Sequence, residues 1–493
     1  MAIMAPEPDV VVVGAGTSGC ALAARLADAG RRVLLLEAGS ADGQWPADIR
    51  DAASLAAAAP GHPANWDLAA EVLPGRSVRV PRGRIAGGSS ALNAAVWMRA
   101  TRRDLDGWAA AGNPLWAPDA VLPAFRRSEA DADYGRLPGH GADGPVPVRR
   151  LPSPSVLADA FAAGSAELGF PAEPDKNGDA APGHGPIPFN VEGGVRINAA
   201  MAYLAPRQGL QTLAVRGGVA VRRILVERGR AVGVLTDDGP VRAGEVVLSA
   251  GAVGSAHLLL ASGLGPAADL AVAGIDVVAD LPGVGAASSD HPIVYVPYRP
   301  VPGLPVSARP LHGVLHALVD GAEIEVLPWL RPFGSDPELL VGVGLQNPVA
   351  RGRLGLDLRN PSRPPRLEYR YLAEEADRRG LRAGVRLVAS LLVTDAVAGT
   401  ATPSAELPGA LLADDAALDR WIADRVGTAV HLSGTAPMGP DTDDRAVVDQ
   451  QLRVRGVAGL RVVDTSVLPW VPSRGTAATA VMVGERAAEL FDA

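Results

Sequence analysis

Apolar runs broken by glycine clusters predict a strand, a turn, a helix and a second strand at the head of the chain. Val10 to Val13 form an unbroken β-branched run, as in a strand buried on both faces. Gly14, Gly16 and Gly19 follow, Ala21 to Ala29 read as a helix stopped by Gly30, and Val33 to Leu36 form a second buried run. The rhythm returns later. "EVVLSA" before "GAVGSAHLLLASGLG" (251–265) reads as strand, glycine turn and short helix, and residues 459–490 read as a strand ending at Asp464, a Pro-rich loop and a closing helix. Residues 83–97, "GRIAGGSSALNAAVW", predict a glycine–serine loop leading into an Ala-rich helix. No internal repeat is visible, and "DAASLAAAAPG" is a low-complexity patch in a loop or short helix. No stretch approaches the roughly 18 apolar residues of a membrane helix, so no transmembrane segment is expected.

A length of 493 residues predicts about two to three domains, with apolar residues at 48% supplying their cores. The 57 glycines and 43 prolines follow no fixed period, which indicates many loops in a globular protein. The net charge of −8 is spread without a basic block, so nucleic acid is not an expected partner and a small molecule is. Cys20 is the single cysteine, which excludes internal disulfides and thiolate metal sites. With no basic n-region or twin arginine near the start, the expected setting is cytoplasmic, a peripheral contact at the inner face of a membrane being left open. Lys176, the single lysine, sits in the loop-like "PDKNGD" and is a poor candidate for Schiff-base chemistry.

The first unit carries chemistry. Gly14 permits a tight turn, Gly16 lets a pyrophosphate approach the backbone, Gly19 permits close helix–strand packing, and the helix N-terminus faces the anion. Glu37 lies 18 residues beyond Gly19, placed to accept from a ribose hydroxyl. A carboxylate there disfavours NADP but leaves NAD and FAD open.

Taken together, residues 83–97, 251–265, the terminal "HLSGTAPMG" and "GLRVVDTSVLP" blocks and "VGAASSDHP" at 284–292 resemble the glucose–methanol–choline (GMC) family of flavoprotein oxidoreductases over nearly the whole chain. Ala86 and Ala256 depart from the family's two signatures. The resemblance implies an α/β fold: a Rossmann-like FAD-binding domain of GMC type, with an inserted α+β substrate domain built on an antiparallel sheet. The FAD domain would comprise 1–145, 193–285 and 430–493, and the substrate domain 146–192 and 286–429. FAD contacts are implied at Gly14, Gly16, Thr17, Ser18, Gly19, Glu37, Ala38, Arg84, Gly87, Gly88, Ser89, Asn93, Ala94, Val219, Ala250, Gly251, Asp464 and Thr476. Leu92 stands where some members link FAD through a histidine, so non-covalent FAD is expected, and no metal.

The resemblance places His431 beside the flavin, contacting the alcohol hydroxyl while the carbon gives hydride to N5. An imidazole with an ordinary pKa near 6.5 suits the accepting role. The other reading is a histidine hydrogen-bonded in a glycine-rich turn. The family's second active-site position, His or Asn in most members, falls at Gly475, with Arg474 as its neighbour, directed either into the site or outward to a surface ion pair. His62, His140 and His184 are expected in loops and His257 on a helix; His312 and His316 have helical spacing but no nearby acid, and His291 is expected to be structural. Trp97 and Trp470 are expected in the core, or else bordering a substrate cavity. The Arg474–Gly475 pair, "HLSGTAPMG" and "VRINAAMAYL" resemble the branch associated with the mycofactocin system, dehydrogenases that pass electrons to a quinone, a redox cofactor or respiration rather than to oxygen. Another alcohol dehydrogenase or oxidase of secondary metabolism, a hydroxynitrile lyase-like protein and an FAD-containing binding protein remain the alternatives.

Overall fold

The computed structural model describes residues 7–152, 155–305, 307–332, 338–358, 360 and 363–492. Val10–Val13 is the middle strand of a five-stranded parallel sheet, ordered Leu213–Arg216, Val33–Leu36, Val10–Val13, Glu245–Leu248, Leu460–Val462. All four residues of Val10–Val13 and of Val33–Leu36 are buried, which is why both runs are apolar without alternation. Three stretches far apart in the chain thus meet in one sheet.

Two expected helices differ from observation. The first begins at Thr17 rather than Ala21 and runs to Asp28. Gly16 is its N-cap, and a first turn of Thr17, Ser18 and Gly19 carries no apolar signal that would reveal it. The Ala-rich helix after residues 83–97 is absent. A single 3₁₀ turn, Gly88–Ala91, is followed by Ala95 at φ 57°. The Asn93 side chain accepts from the Ala95 amide at 3.0 Å, a local bond that competes with helix formation.

A second sheet is antiparallel, ordered Ala401–Pro403, Pro292–Pro300, Leu339–Leu345, Ala322–Pro328, Gly313–Val319, His184–Pro186, with Gly427–Thr428 also against Pro292–Pro300. Helix Glu375–Leu391 lies on one face of it. A Cβ at Gly384 would stand 2.6 Å from Val343, and one at Gly380 2.9 Å from Leu345, so these glycines set how closely helix and sheet approach. Alternation along the strands turns Glu325 and Gly344 to the opposite face. His312 and His316 share no helical face, since His316 lies on a strand, and His316 does have an acid, Glu325, at 3.2 Å.

The closing helix Ala477–Glu489 packs on Thr17–Asp28 so tightly that a Cβ at Gly484 would lie 2.4 Å from the Ser18 carbonyl oxygen. Next to it, the buried Glu485 accepts from Arg25 at 2.9 Å, Arg127 at 2.7 Å and the Tyr203 hydroxyl at 2.7 Å. No helix among the described residues is long and apolar enough to cross a membrane.

His140 lies in a loop, as expected, and is there a buried member of an ion-pair network. It contacts Glu129 at 3.1 Å, Asp131 at 3.4 Å and Asp175 at 2.8 Å. Of the ligand-like groups Glu129, Asp131 and His140, the two carboxylates are already paired with Arg99 and Arg150. Burial opposes the imidazolium, but hydrogen bonds to Asp131, Asp175 and Glu129 prevail and lift its pKa from 6.5 to about 10. A raised folded-state pKa means stabilisation fully present below the unfolded value and lost as pH rises through the folded one. In urea unfolding, the wild type should lose stability between pH 6.5 and 10, and His140→Gln should be less stable at pH 6 with a flatter profile over that window.

Candidate active site

The glycine loop shows why each glycine is needed. Gly14 (φ 102°) would place a Cβ 2.5 Å from the Ser249 carbonyl, and Gly19 would place one 2.1 Å from the Gly14 carbonyl. Gly16 differs: its Cβ would meet only Ser249 O, at 3.7 Å, and as N-cap it gives the helix no side-chain partner. The amides of that first turn are therefore available to an anion. A Cβ on Gly88 (φ 54°) would come within 2.7 Å of the Gly16 Cα, and the Gly87 amide donates to Ala15 O at 2.8 Å. The loop at 87–88 is thus pressed onto the loop at 14–16.

Glu37 stands at the edge of this loop, accepting from Ala15 N at 3.0 Å and Gly39 N at 2.9 Å. Burial pushes its carboxyl up, while the amides of Gly39, Ala15 and Ala38 and the charge of Arg84 pull the other way. The Val219 amide donates to Glu37 O at 2.9 Å, so Ala38, Arg84 and Val219 gather here. Other implied contacts have side chains engaged within the protein. Ser18 Oγ donates to Ala480 O at 2.6 Å, Ser89 Oγ accepts from Gly83 N at 3.1 Å, and Asn93 holds Ala95 N. Ala94 is half-buried beside it. The Asp464 carboxylate accepts from Gly251 N at 2.9 Å and Ser255 Oγ at 2.5 Å, while Ala250 N donates to Ser255 Oγ at 3.0 Å. Among these, the Asn93 amide N–H groups and the Ser89 hydroxyl proton are not used by those bonds, and backbone groups supply the remaining contacts for a ligand. The helix N-terminus without a side-chain cap, the open side of Gly16 and the buried acid together fit a dinucleotide. Leu92 is buried hydrocarbon with no atom able to bond a flavin covalently.

The second cluster centres on His431. A Cβ at Gly475 would lie 3.6 Å from His431 Nε2, so the glycine leaves open the space before that nitrogen. Thr476, the next residue, is the N-cap of Ala477–Glu489 and makes no side-chain cap. Val430 adopts φ 61°, a strained conformation for a β-branched residue, costing on the order of 1–3 kcal/mol. Its carbonyl accepts from Arg82 at 2.9 Å and its amide donates to Thr428 Oγ1 at 2.8 Å. The buried Asp290 accepts from the amides of His431 at 2.8 Å and His291 at 2.7 Å, and from Thr428 Oγ1 at 2.7 Å. His291 Nδ1 meets His431 Nδ1 at 3.0 Å. Burial, then the charge of Arg82, lowers the His431 pKa to about 4, which keeps the imidazole neutral at pH 7.

Arg474 does not point outward to a surface pair; it is buried at 4% exposure. Its Nη1 donates to Ser473 O at 2.7 Å, and Nη2 lies 3.9 Å from Glu173. Glu173 in turn takes Lys176 Nζ at 2.5 Å; that ammonium also meets Gly183 O at 2.7 Å and His316 Nδ1 at 3.3 Å. Burial lowers Lys176 to a pKa of about 8 and raises Glu325. Trp97 is buried and donates to Glu129 at 3.2 Å, whereas Trp470 is half-buried against Gly107.

His431, Arg474, Gly475 and Thr476 therefore share one region, and the glycine loop, Glu37, Gly87 and Gly88 another. Sequence reasoning missed Asp290, Arg82, Glu173 and the partnership of His291, although "SDHP" lay inside a block already singled out.

The comparisons agree with this architecture. The GMC oxidoreductase family models match residues 8–293 and 348–484. The chain is 40% identical to an uncharacterized GMC-type oxidoreductase in the thcA 5' region of Rhodococcus erythropolis, covering 98% of both chains. It is 34% identical to the oxygen-dependent choline dehydrogenase of Vibrio vulnificus, covering 98% of this chain and 94% of the relative. Pyridoxine 4-oxidase from Mesorbium loti superposes with a TM-score of 0.89 at 30% identity, covering 98% of this chain and 99% of the other. With both family models matched and the nucleotide loop and His431 cluster built as described, the chain belongs to the GMC oxidoreductase family and is an FAD-dependent oxidoreductase.

Proposed function

We propose that the chain oxidises a small-molecule alcohol to a carbonyl, with His431 as proton acceptor. The observation that carries this reading is His431 Nε2 facing the space that Gly475 leaves open. Non-covalent FAD supplies the hydride acceptor, held by the glycine loop, Glu37 and the loop at 87–88. Around it, Asp290 and the strained Val430 fix the backbone that carries the imidazole, and burial, with Arg82 adding to it, keeps the ring neutral and ready to accept. Arg474 adds a buried positive charge beside Gly475, and the uncapped N-terminus of Ala477–Glu489 adds a second positive potential of about half a charge. The five-stranded parallel sheet and the large antiparallel sheet support a division into an FAD-binding domain, 1–145, 193–285 and 430–493, and a substrate domain, 146–192 and 286–429, with smaller sheets joining strands across it.

The relatives' names point to choline and pyridoxine as first substrates to screen. The mycofactocin branch rests on the Arg474–Gly475 pair and its flanking motifs, and with it the expectation of a quinone or redox cofactor as acceptor and a cytoplasmic setting. An anaerobic screen for bleaching of the bound flavin, including choline, pyridoxine and reduced mycofactocin, tests the reading; no bleaching by any alcohol would favour a non-redox member.

His431→Ala should retain FAD, released from it and the wild type alike by denaturation, but reduce that FAD on the order of 10² to 10⁴-fold more slowly in stopped flow. Because His431 is neutral well below pH 7, wild-type reduction should hold its rate from pH 8 to 6, where an ordinary histidine would begin to protonate. Gly475→Ala meets nothing nearer than 3.6 Å and should fold normally, yet the methyl group stands before Nε2 and should lower kcat/KM on the order of tenfold. Reoxidation of the reduced wild type should be faster with a quinone or dye than with air; the reverse order would make it an oxidase.

A further inference from the structure

The rings of His291 and His431 meet edge to face, their centroids 5.2 Å apart and their planes at 81°. The contact joins Nδ1 to Nδ1 at 3.0 Å. A hydrogen bond between two like nitrogens needs a proton on one and a lone pair on the other. Burial is the main cause that keeps both imidazoles neutral; the charge of Arg82 adds to it at His431, and at His291 the cost of charging two adjacent rings together, and then Arg474, add to it. Each ring therefore has a single N–H to place, and Asp290 is engaged by the two backbone amides and Thr428.

The far side of His291 decides between the two arrangements. Burial lowers the His291 pKa overall, but the backbone groups of Pro472 and Gln346 act in the other direction and favour a proton on its ring. A carbonyl oxygen can only accept. Nε2 is the ring nitrogen not engaged with His431; it is buried and makes no hydrogen bond of its own among the described residues, so it is the nitrogen left for those carbonyls to act on. A bare lone pair on Nε2 would stand unpaired or repelled, whereas an N–H there is attracted to the oxygens.

We propose that His291 is a positioning residue that sets the tautomer of His431: carrying its own proton on Nε2, it accepts the Nδ1–H of His431 and leaves the His431 Nε2 lone pair facing the space over Gly475. Its catalytic consequence rests on His431 being the base, while the tautomer itself is a property of the chain. When the alcohol O–H bond breaks and its proton bonds to Nε2, the resulting imidazolium already donates from Nδ1 to His291, so no group must reorganise to share the charge. The opposite tautomer would present N–H to the hydroxyl and have no lone pair to take the proton. Loss of an orienting partner that enforces the right tautomer can cost about 10⁴-fold in other enzymes.

Nitrogen NMR of the histidine-labelled holoenzyme, with His431 assigned by subtraction of the His431→Ala spectrum, reads the tautomer directly. A protonated Nδ1 and bare Nε2 on His431 are expected; a bare Nδ1 with protonated Nε2 overturns the proposal. In parallel, His291→Asn keeps an oxygen acceptor near the position of Nδ1, while His291→Leu removes it. Flavin reduction should remain within several-fold of wild type in the Asn variant and fall on the order of 10²-fold in the Leu variant, with FAD content unchanged. Wild-type rates in His291→Leu, or an Asn variant as slow as Leu, overturn it. Should either variant fail to hold FAD, the wild-type spectrum decides alone. Unimpaired reduction by His431→Ala would remove the base reading and leave the spectrum to judge the tautomer.

Discussion

The close approach of the last helix to the first is the constraint on which the molecule depends. At Gly484 the helices are too near for any Cβ, and Glu485 then closes a buried knot with Arg25, Arg127 and Tyr203. Removing one member of such a knot leaves charges uncompensated, at a cost on the order of 3–5 kcal/mol when fully buried. The same docking brings strand Leu460–Val462 to the edge of the parallel sheet and presents residues 474–476 beside His431. Residues more than 400 positions apart in the chain thus assemble one region.

Electrostatics in that region work by exclusion of water. His431 and His291 are kept neutral by burial, and Lys176 and Glu325 are pushed toward neutrality by the same cause. The Arg474 guanidinium is only loosely matched by Glu173, at 3.9 Å. The left-handed Val430 indicates that the backbone entering His431 is held against its own preference, by Arg82 and Thr428. His140 shows the contrasting use of buried charge, where three carboxylates hold an imidazolium in place and no lone pair is left to react.

Much of this was legible beforehand. Unbroken apolar runs located the central strands to the residue, since both faces are buried and no alternation blurs the signal. Gly14, Gly16 and Gly19 declared the nucleotide loop: Gly14 and Gly19 meet backbone too close for any Cβ, while Gly16 leaves its side open for a ligand. Motif blocks then pointed to His431 and Gly475, which the fold brings face to face. What failed was local competition and distant partnership. Asn93 turned an Ala-rich stretch away from helix, the helical spacing of His312 and His316 gave way to a strand with Glu325 as partner, and the loop residues Lys176 and His140 proved to be buried among charged partners.

The sequence by itself determined the glycine loop, the parallel strands and the family, because these follow from contacts within about thirty residues or from spacing that only one backbone geometry permits. Tertiary structure alone decided which way Arg474 points, what His291 touches and which nitrogen of His431 is free. Those are questions of distance between side chains from separate strands and loops, and a hydrogen bond a few ångströms long leaves no trace in the order of residues that are 140 positions apart.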